Sequence, residues 1–182
     1  MPHLVHVLGV TDRDALHQHC ALLEVSDLRM RFGRHPDPQW LRMYVDGIDF
    51  TRDTVLGVRN GRTLTGVTHV ALFEGAAELG LSVLPSHRRQ GVATAMFDRA
   101  VLCARNRGVV ELFMHCLSEN QAMRRIARHA GMRILVEGSD TDAWIELPPA
   151  TPFTLGQELM AQQLTLVDLA LRTPWQLASA DG

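Results

Sequence analysis

The sequence predicts a mixed α/β (α+β) domain: one mostly antiparallel sheet with helices on its flanks. Two observations predict it. Asn60-Gly61, a strong hairpin signal, separates two segments that alternate and are rich in β-branched residues. Val109 to Leu117 is a nearly continuous apolar run between two helical patterns, each closed by a glycine, and reads as a central strand. The length, 182 residues with 46% hydrophobic and 21% charged, suits one domain with a sizeable core and is short for two.

In chain order, His3 to Leu8 alternates weakly and reads as a strand. Thr11-Asp12-Arg13-Asp14 starts a helix with a hydroxyl cap and early acids, and Leu16, Cys20 and Leu23 share one face of it. Ser26-Asp27 is a second cap, leading into LRMRFGR, and Asp37-Pro38 a third, with proline at the first helical position. Extended segments follow at Thr54–Arg59, Thr63–Phe73 and Ala77–Leu84. Gly91 to Arg107 is a helix with an apolar stripe of Val92, Met96, Phe97, Ala100, Val101 and Ala104. After the central strand, Ser118 or Asn120 opens another helix, closed by Gly131. Two short strands near Met132–Glu137 and Asp142–Leu147 complete a domain of residues 1–147. Residues 148–153, PPATPF, form a stiff linker, and residues 154–172 an amphipathic helix. This helix either packs on the domain or pairs between subunits; its apolar arc, from Leu155 through Leu171, is wider than a lone surface helix needs and favours a homodimer.

Net charge is -2, so no global field favours nucleic acid or an anionic membrane. The N-terminal stretch has histidines and acids where a signal peptide has a long apolar run, and no segment is apolar enough to span a bilayer. The three cysteines have no metal or redox spacing, which points to a reduced, cytoplasmic setting. No metal is expected. His17 and His19 point apart on a helix, and HExxH is absent.

The stretch Leu84–Phe97, LPSHRRQGVATAMF, places two arginines and a glycine between a strand and a helix. A helix start presents unsatisfied N–H groups and the positive end of the dipole, and glycine lets a ligand approach the backbone. Together they suit a pyrophosphate. Neither GxxxxGK[ST] nor GxGxxG occurs, so the loop is neither a P-loop nor a Rossmann turn.

Arg88-x-x-Gly91-x-Ala93, after Val83-x-Pro85 and before a long helix, resembles the acyl-CoA motif of the GNAT N-acetyltransferase superfamily. Asn120-x-x-Met123, Ile126 and Gly131-Met132 resemble that family's next helix and closing turn. The likeness spans about Thr54 to Leu147, and LRMRFGR with GIDFTRDTVLGV is similar to the protein-lysine acetyltransferase branch. The resemblance implies a sheet splayed between the strands Ala77–Leu84 and Val109–Leu117, with acetyl-CoA as co-substrate. It places the pyrophosphate on Arg88, Arg89, Gln90, Gly91, Val92, Ala93 and Thr94, and the pantetheine arm along the backbone of Leu81 and Val83. Asn120 would contact the arm or cap its helix. Arg124 and Arg125 would reach phosphates or simply be solvated, and His87 would bond a phosphate or lie on the surface.

The attacking amine needs a base. Glu78, on the strand where many family members carry an acid, is the candidate, and its apolar neighbours Ala77, Leu79 and Leu81 would partly desolvate it. The other reading is an exposed polar residue of an alternating strand. Glu111 is a second candidate. The family's tyrosine acid falls at Ala127, and Tyr44 is the chain's single tyrosine, so either the sulfur leaves unaided as thiolate, its thiol having a pKa of roughly 8.5, or Ser118, His115 or water substitutes as the acid. Asp46, Asp49 and Asp53 either attract a cationic amine or are solvated loop acids. The expected activity is acetyl transfer to a primary amine, of a small molecule or a protein lysine. The alternatives are a catalytically weak acyl-CoA-binding or regulatory module, or a nucleotide binder of another fold.

Overall fold

The computed structural model describes residues 3–178, with side chains through residue 171. Strand β1 (Val5–Leu8) precedes helices α1 (Arg13–Ala21), α2 (Val25–Phe32) and α3 (Pro38–Asp46). Strands β2 (Thr54–Asn60), β3 (Thr63–Leu72) and β4 (Ala76–Val83) form a meander. Helix α4 (Val92–Asn106), β5 (Glu111–Leu117), α5 (Gln121–His129), β6 (Arg133–Glu137), β7 (Asp140–Glu146) and α6 (Pro152–Ala178) complete the order.

The strands make one seven-stranded sheet in the order β1-β2-β3-β4-β5-β7-β6. Neighbours are antiparallel except β4 and β5, which are parallel. Those two are joined only at Ala76↔Glu111, Ala77↔Leu112 and Glu78↔Phe113. Beyond Glu78, β4 continues to Val83 and β5 to Leu117 with no ladder between them. The sheet is splayed between the two strands where the family resemblance implies an opening.

Alternation along β4 sorts its side chains. Ala77, Leu79, Leu81 and Val83 enter the main core with Val92, Met96, Phe97 and Ala100 of α4. Cys103 joins that stripe as a small apolar residue. Glu78, Gly80 and Ser82 turn to the other face, where α1 and α2 bring His19 against Ser82 and Arg31 against Gly80. Gly66 of β3 lets α4 lie close, because a Cβ there would stand 2.7 Å from Met96 Cε and 2.8 Å from Val92 Cγ1.

Three local expectations shift. The hairpin loop is Gly61-Arg62, since Asn60 pairs with Thr63, and Gly61 takes φ +59. Asp12, not Thr11, closes the turn into α1, accepting from the Gly9 N–H at 2.9 Å. Helix α2 begins a residue before Ser26, with Glu24 at its cap and the Asp27 carboxylate accepting from the Glu24 N–H. The Asp37-Pro38 start stands: Asp37 accepts from the Trp40 N–H at 2.8 Å.

Helix α6 starts at Pro152, after Thr151, so part of the expected linker is helical. It packs against its domain with its polar edge. Asn106 Nδ2 donates to the Thr154 carbonyl at 3.0 Å and to Glu158 at 2.6 Å, and His6 lies 3.5 Å from Asp168. The apolar arc faces away: Phe153, Leu159, Met160, Leu164, Leu166 and Leu171 are between 58% and 72% exposed.

Candidate functional site

The loop from β4 to α4 is built from backbone conformation. Arg89 takes φ +59, the one described non-glycine residue in the left-handed region, and Gly91 takes φ +85. Successive positive-φ positions turn N–H groups towards one concavity. Gly91 is the N-cap of α4 and supplies no side-chain cap, so the first N–H groups of the helix stay open. A Cβ on Gly91 would meet no atom within 4 Å.

These groups border a cavity of about 930 Å³. Leu81 and Val83 line it from the strand, and Arg88, Arg89 and Gly91 from the loop. Val92, Ala93 and Thr94 come from the first turn of α4, and Asn120 from the far wall. Asn120 also caps α5, accepting from the Met123 N–H at 3.1 Å. His87 and Arg125 line the cavity too.

Four predicted residues lie off its wall. Gln90 turns back to donate to the Ser86 carbonyl at 3.1 Å. Arg124 donates to the Ser118 carbonyl at 3.0 Å, leaving Arg125 as the arginine of α5 that faces the cavity. Ser118 Oγ contacts the carbonyls of Gly138 and Asp140 at 3.2 and 2.9 Å, which clamps the end of β5 to the β6–β7 turn. Its single hydroxyl proton is therefore engaged. Glu78 is the fourth. Arg88, though on the wall, spends its guanidinium on the Val83 carbonyl at 3.1 Å and the Asp27 carboxylate at 2.5 Å, tying α2 to the loop.

Glu78 sits at the last paired rung before β4 and β5 part. It is half-buried and makes no hydrogen bond or ion pair among the described residues. Phe113 is its neighbour on β5, stacked on Phe73 with ring centroids 6.3 Å apart. Further along the same face of β5, His115 Nδ1 lies 2.7 Å from Asp142, and that hydrogen bond raises the imidazole above its ordinary value. Glu111 is exposed at the start of β5.

Above this face lies a network the sequence did not announce. Buried Asp53 accepts from His69 Nε2 at 3.0 Å, His69 Nδ1 accepts from the Tyr44 hydroxyl at 2.8 Å, and Arg31 Nη2 donates to the Tyr44 oxygen at 3.0 Å. Burial pushes the Asp53 carboxyl up, but hydrogen bonds from Arg52, His69 and the Leu72 N–H outweigh it and hold the carboxyl below its ordinary value. Burial holds His69 down and pushes the Tyr44 hydroxyl up. Asp53 is thus not a solvated loop acid, whereas Asp46 pairs with His17 at the surface and Asp49 bonds Thr51. Beside the cavity, buried His19 accepts from Ser82 Oγ at 2.8 Å and donates to the Leu64 carbonyl at 2.8 Å. Burial lowers it, so it stays neutral. Ala127, where the family's tyrosine would fall, is 1% exposed within the core. Among the described residues, no group of acids, histidines and cysteines is placed to hold a metal ion.

The profile of the family described as "Acetyltransferase (GNAT) domain" matches residues 5–133. The GNAT domain of S. lividans PAT is similar in structure, with TM-score 0.69 and 21% identity over 79% of this chain and 89% of that one. YncA, a putative acetyltransferase from Salmonella typhimurium described with its cofactor acetyl-CoA, aligns at TM-score 0.63 and 17% identity over 83% and 97% of the two chains. RimL, a ribosomal L7/L12 α-N-protein acetyltransferase in complex with coenzyme A, aligns at 0.62 and 16% over 79% and 93%. No protein of curated function matches the sequence. With the splayed sheet, the open loop and the family match together, the chain belongs to the GNAT acetyltransferase family. It is a GNAT-fold acetyltransferase enzyme, acetyl-CoA dependent as that family is.

Proposed function

We propose that this chain transfers the acetyl group of acetyl-CoA to a primary amine by direct attack in a ternary complex. The observation that carries the reading is Glu78, a half-buried carboxylate without a partner at the fork of the sheet. Backbone N–H groups from Arg89 to Thr94 would hold the pyrophosphate, and the edge of β4 at Leu81 and Val83 that faces β5, where the two strands have no ladder, the pantetheine arm. The open space at Gly91 fits that ligand. Glu78 takes the amine proton, the new N–C bond forms, the C–S bond breaks, and the sulfur leaves with the electron pair. Backbone N–H donors in the fork would stabilise the developing oxyanion. A thiol of pKa about 8.5 departs as thiolate without a dedicated acid, which suits a core-buried Ala127 and an engaged Ser118 hydroxyl.

The test is release of free CoA thiol from acetyl-CoA against polyamines, amino acids, aminoglycosides and lysine peptides, with thermal stabilisation by acetyl-CoA read alongside. Release with one amine class supports the transferase. Stabilisation with no release favours the second reading, a weakly catalytic acyl-CoA-binding module, for which the missing tyrosine speaks. The absence of both release and stabilisation would overturn the assignment of the loop.

The functional unit in this reading is a homodimer paired through α6. The two acids of residues 152–171, Glu158 and Asp168, lie against the chain's own domain, so the outward arc carries no charge. An uncharged arc does not repel its own copy, as a two-fold interface requires. Without lysine or arginine it is unlike a helix built to lie on lipid. Monomers rarely expose apolar patches beyond about 300–600 Å², and this arc spans Phe153 to Leu171. The free thiols Cys20, Cys103 and Cys116 support a reducing, cytoplasmic setting, and no described helix is long and apolar enough to cross a membrane.

A further inference from the structure

Arg31 is a cation without an anion. It is half-buried on α2, lines the large cavity, and has no carboxylate within ion-pair distance among the described residues. Its one hydrogen bond there is to the Tyr44 oxygen at 3.0 Å. The guanidinium lies 4.8 Å from the Phe32 ring centroid and 5.9 Å from that of Tyr44. Trp40 and Tyr44 stack, Phe32 meets both rings edge to face, and the His69–Asp53 pair fixes the Tyr44 hydroxyl. The fork is therefore held rigidly with most of its N–H donors unspent.

Its seat depends on a missing side chain. The guanidinium lies against Gly80, where any Cβ would overlap it. Gly80 follows Glu78 by two residues on the same face of β4, so the fork and the base stand about one pleat, roughly 7 Å, apart along the strand. The pyrophosphate loop is beyond Val83, a further three residues, or about 10 Å, along. Arg31 is thus at the reacting end of the cavity and not at the phosphate end.

We infer that Arg31 binds a carboxylate of the acceptor, and that the acceptor is an amino carboxylate: an amine carrying a carboxyl group a few bonds away. The inference rests on the acetyl-transfer reading above. Amine on Glu78 and carboxylate on Arg31 match the two unpaired charges of this face, one of each sign. A planar fork takes a carboxylate through two parallel hydrogen bonds. Tyr44 and, behind it, His69 and Asp53 are positioning residues for Arg31.

The experiment is calorimetric titration of the CoA-saturated protein with alanine, β-alanine, lysine and glutamate, each against its carboxamide or decarboxylated amine. The wild type should bind at least one acid about tenfold or more tighter than its neutral counterpart, because a buried donor left unpaired rejects the analogue. Arg31→Gln should abolish that preference while CoA affinity stays within about twofold. Tyr44→Phe, which keeps the ring and removes the anchor oxygen, should weaken the preference. Equal binding of acids and neutral amines by the wild type, or none of either, would overturn the inference. So would a stronger response to succinyl-CoA than to acetyl-CoA, which would put the acyl carboxylate on Arg31. Where turnover is measurable, Arg31→Gln should raise KM for the acid and spare kcat for the neutral amine. Equal loss of kcat for both would make Arg31 an oxyanion donor and sink the carboxylate role. Because binding is read without turnover, failure of acetyl transfer and failure of this inference give different results.

Discussion

Gly91→Ala separates the two roles of the glycine at the head of α4. Its φ of +85 lies in the left-handed region, where a side chain costs about 1–2 kcal/mol. No clash adds to this, because nothing lies within 4 Å of the new Cβ. In a chain of this size that loss lowers Tm by about 2–8 °C. Gly108→Ala is the control: φ is +78, its Cβ also meets nothing within 4 Å, and it lies at the other end of the same helix. The two variants should lose similar stability. Only Gly91→Ala puts a methyl group into the cavity wall beside the open N–H groups. Losing one hydrogen bond to a charged phosphate costs about 1.5–3 kcal/mol, so CoA should bind roughly 10- to 100-fold more weakly. Calorimetry with CoA and thermal melts on the three proteins decide it. Wild-type CoA affinity in Gly91→Ala, with the melting loss present, would refute the loop as the pyrophosphate seat.

Stability should fall as pH drops below about 6.5, because burial holds both His19 and His69 below their ordinary values and the unfolded chain binds the protons first. His115 acts in the opposite sense, since its bond to Asp142 raises it: its contribution is complete below about 6.5 and is lost as pH rises through its folded value. Urea unfolding from pH 8 to 5 checks both signs, and a flat profile below 6.5 would contradict the burial of His19 and His69. Leu159→Gln with Leu166→Gln should convert a dimer to a monomer in sedimentation with little change in CoA binding, as both side chains are more than half exposed; a monomeric wild type would contradict the α6 pairing. Gly66→Ala should cost about 1–3 kcal/mol by overpacking, since Met96 and Val92 stand under 3 Å from the new Cβ; an unchanged urea midpoint would show that α4 gives way there.

The loop and its helix were legible because their signal is local. Arg88-x-x-Gly91-x-Ala93 needs only the preceding strand and the following helix, and the structure puts most of that segment on the cavity wall. The hairpin at Gly61 and the central strand β5 were legible for the same reason. What the sequence hid comes from tertiary neighbours. Arg31, Tyr44, Asp53 and His69 belong to four different segments, and only the packing of α2 and α3 over β3 and β4 brings them together. His19 and Ser82 are likewise distant in sequence. Arg88 read as a pyrophosphate ligand, and its ion pair was hidden because its partner, Asp27, lies on another helix. The wheel of α6 gave the correct apolar arc but not its direction: the polar edge found partners in Asn106 and His6, and the arc was left outside. A signal for Arg31 did exist, in a glycine at position 80 of an otherwise well-filled strand, which marks a close approach.

The central claim is that Glu78 is the base of an acetyl transfer. Single-turnover transfer to an amine at saturating acetyl-CoA, by the wild type and by Glu78→Gln, tests it most directly, with CoA affinity measured on the same samples. Glu78 lies off the cavity wall and has no partner among the described residues, so the isosteric change should leave folding and CoA affinity intact. The rate should fall by about 10²–10⁴-fold. An unchanged rate, or a loss of CoA binding that accounts for the whole effect, would contradict the account.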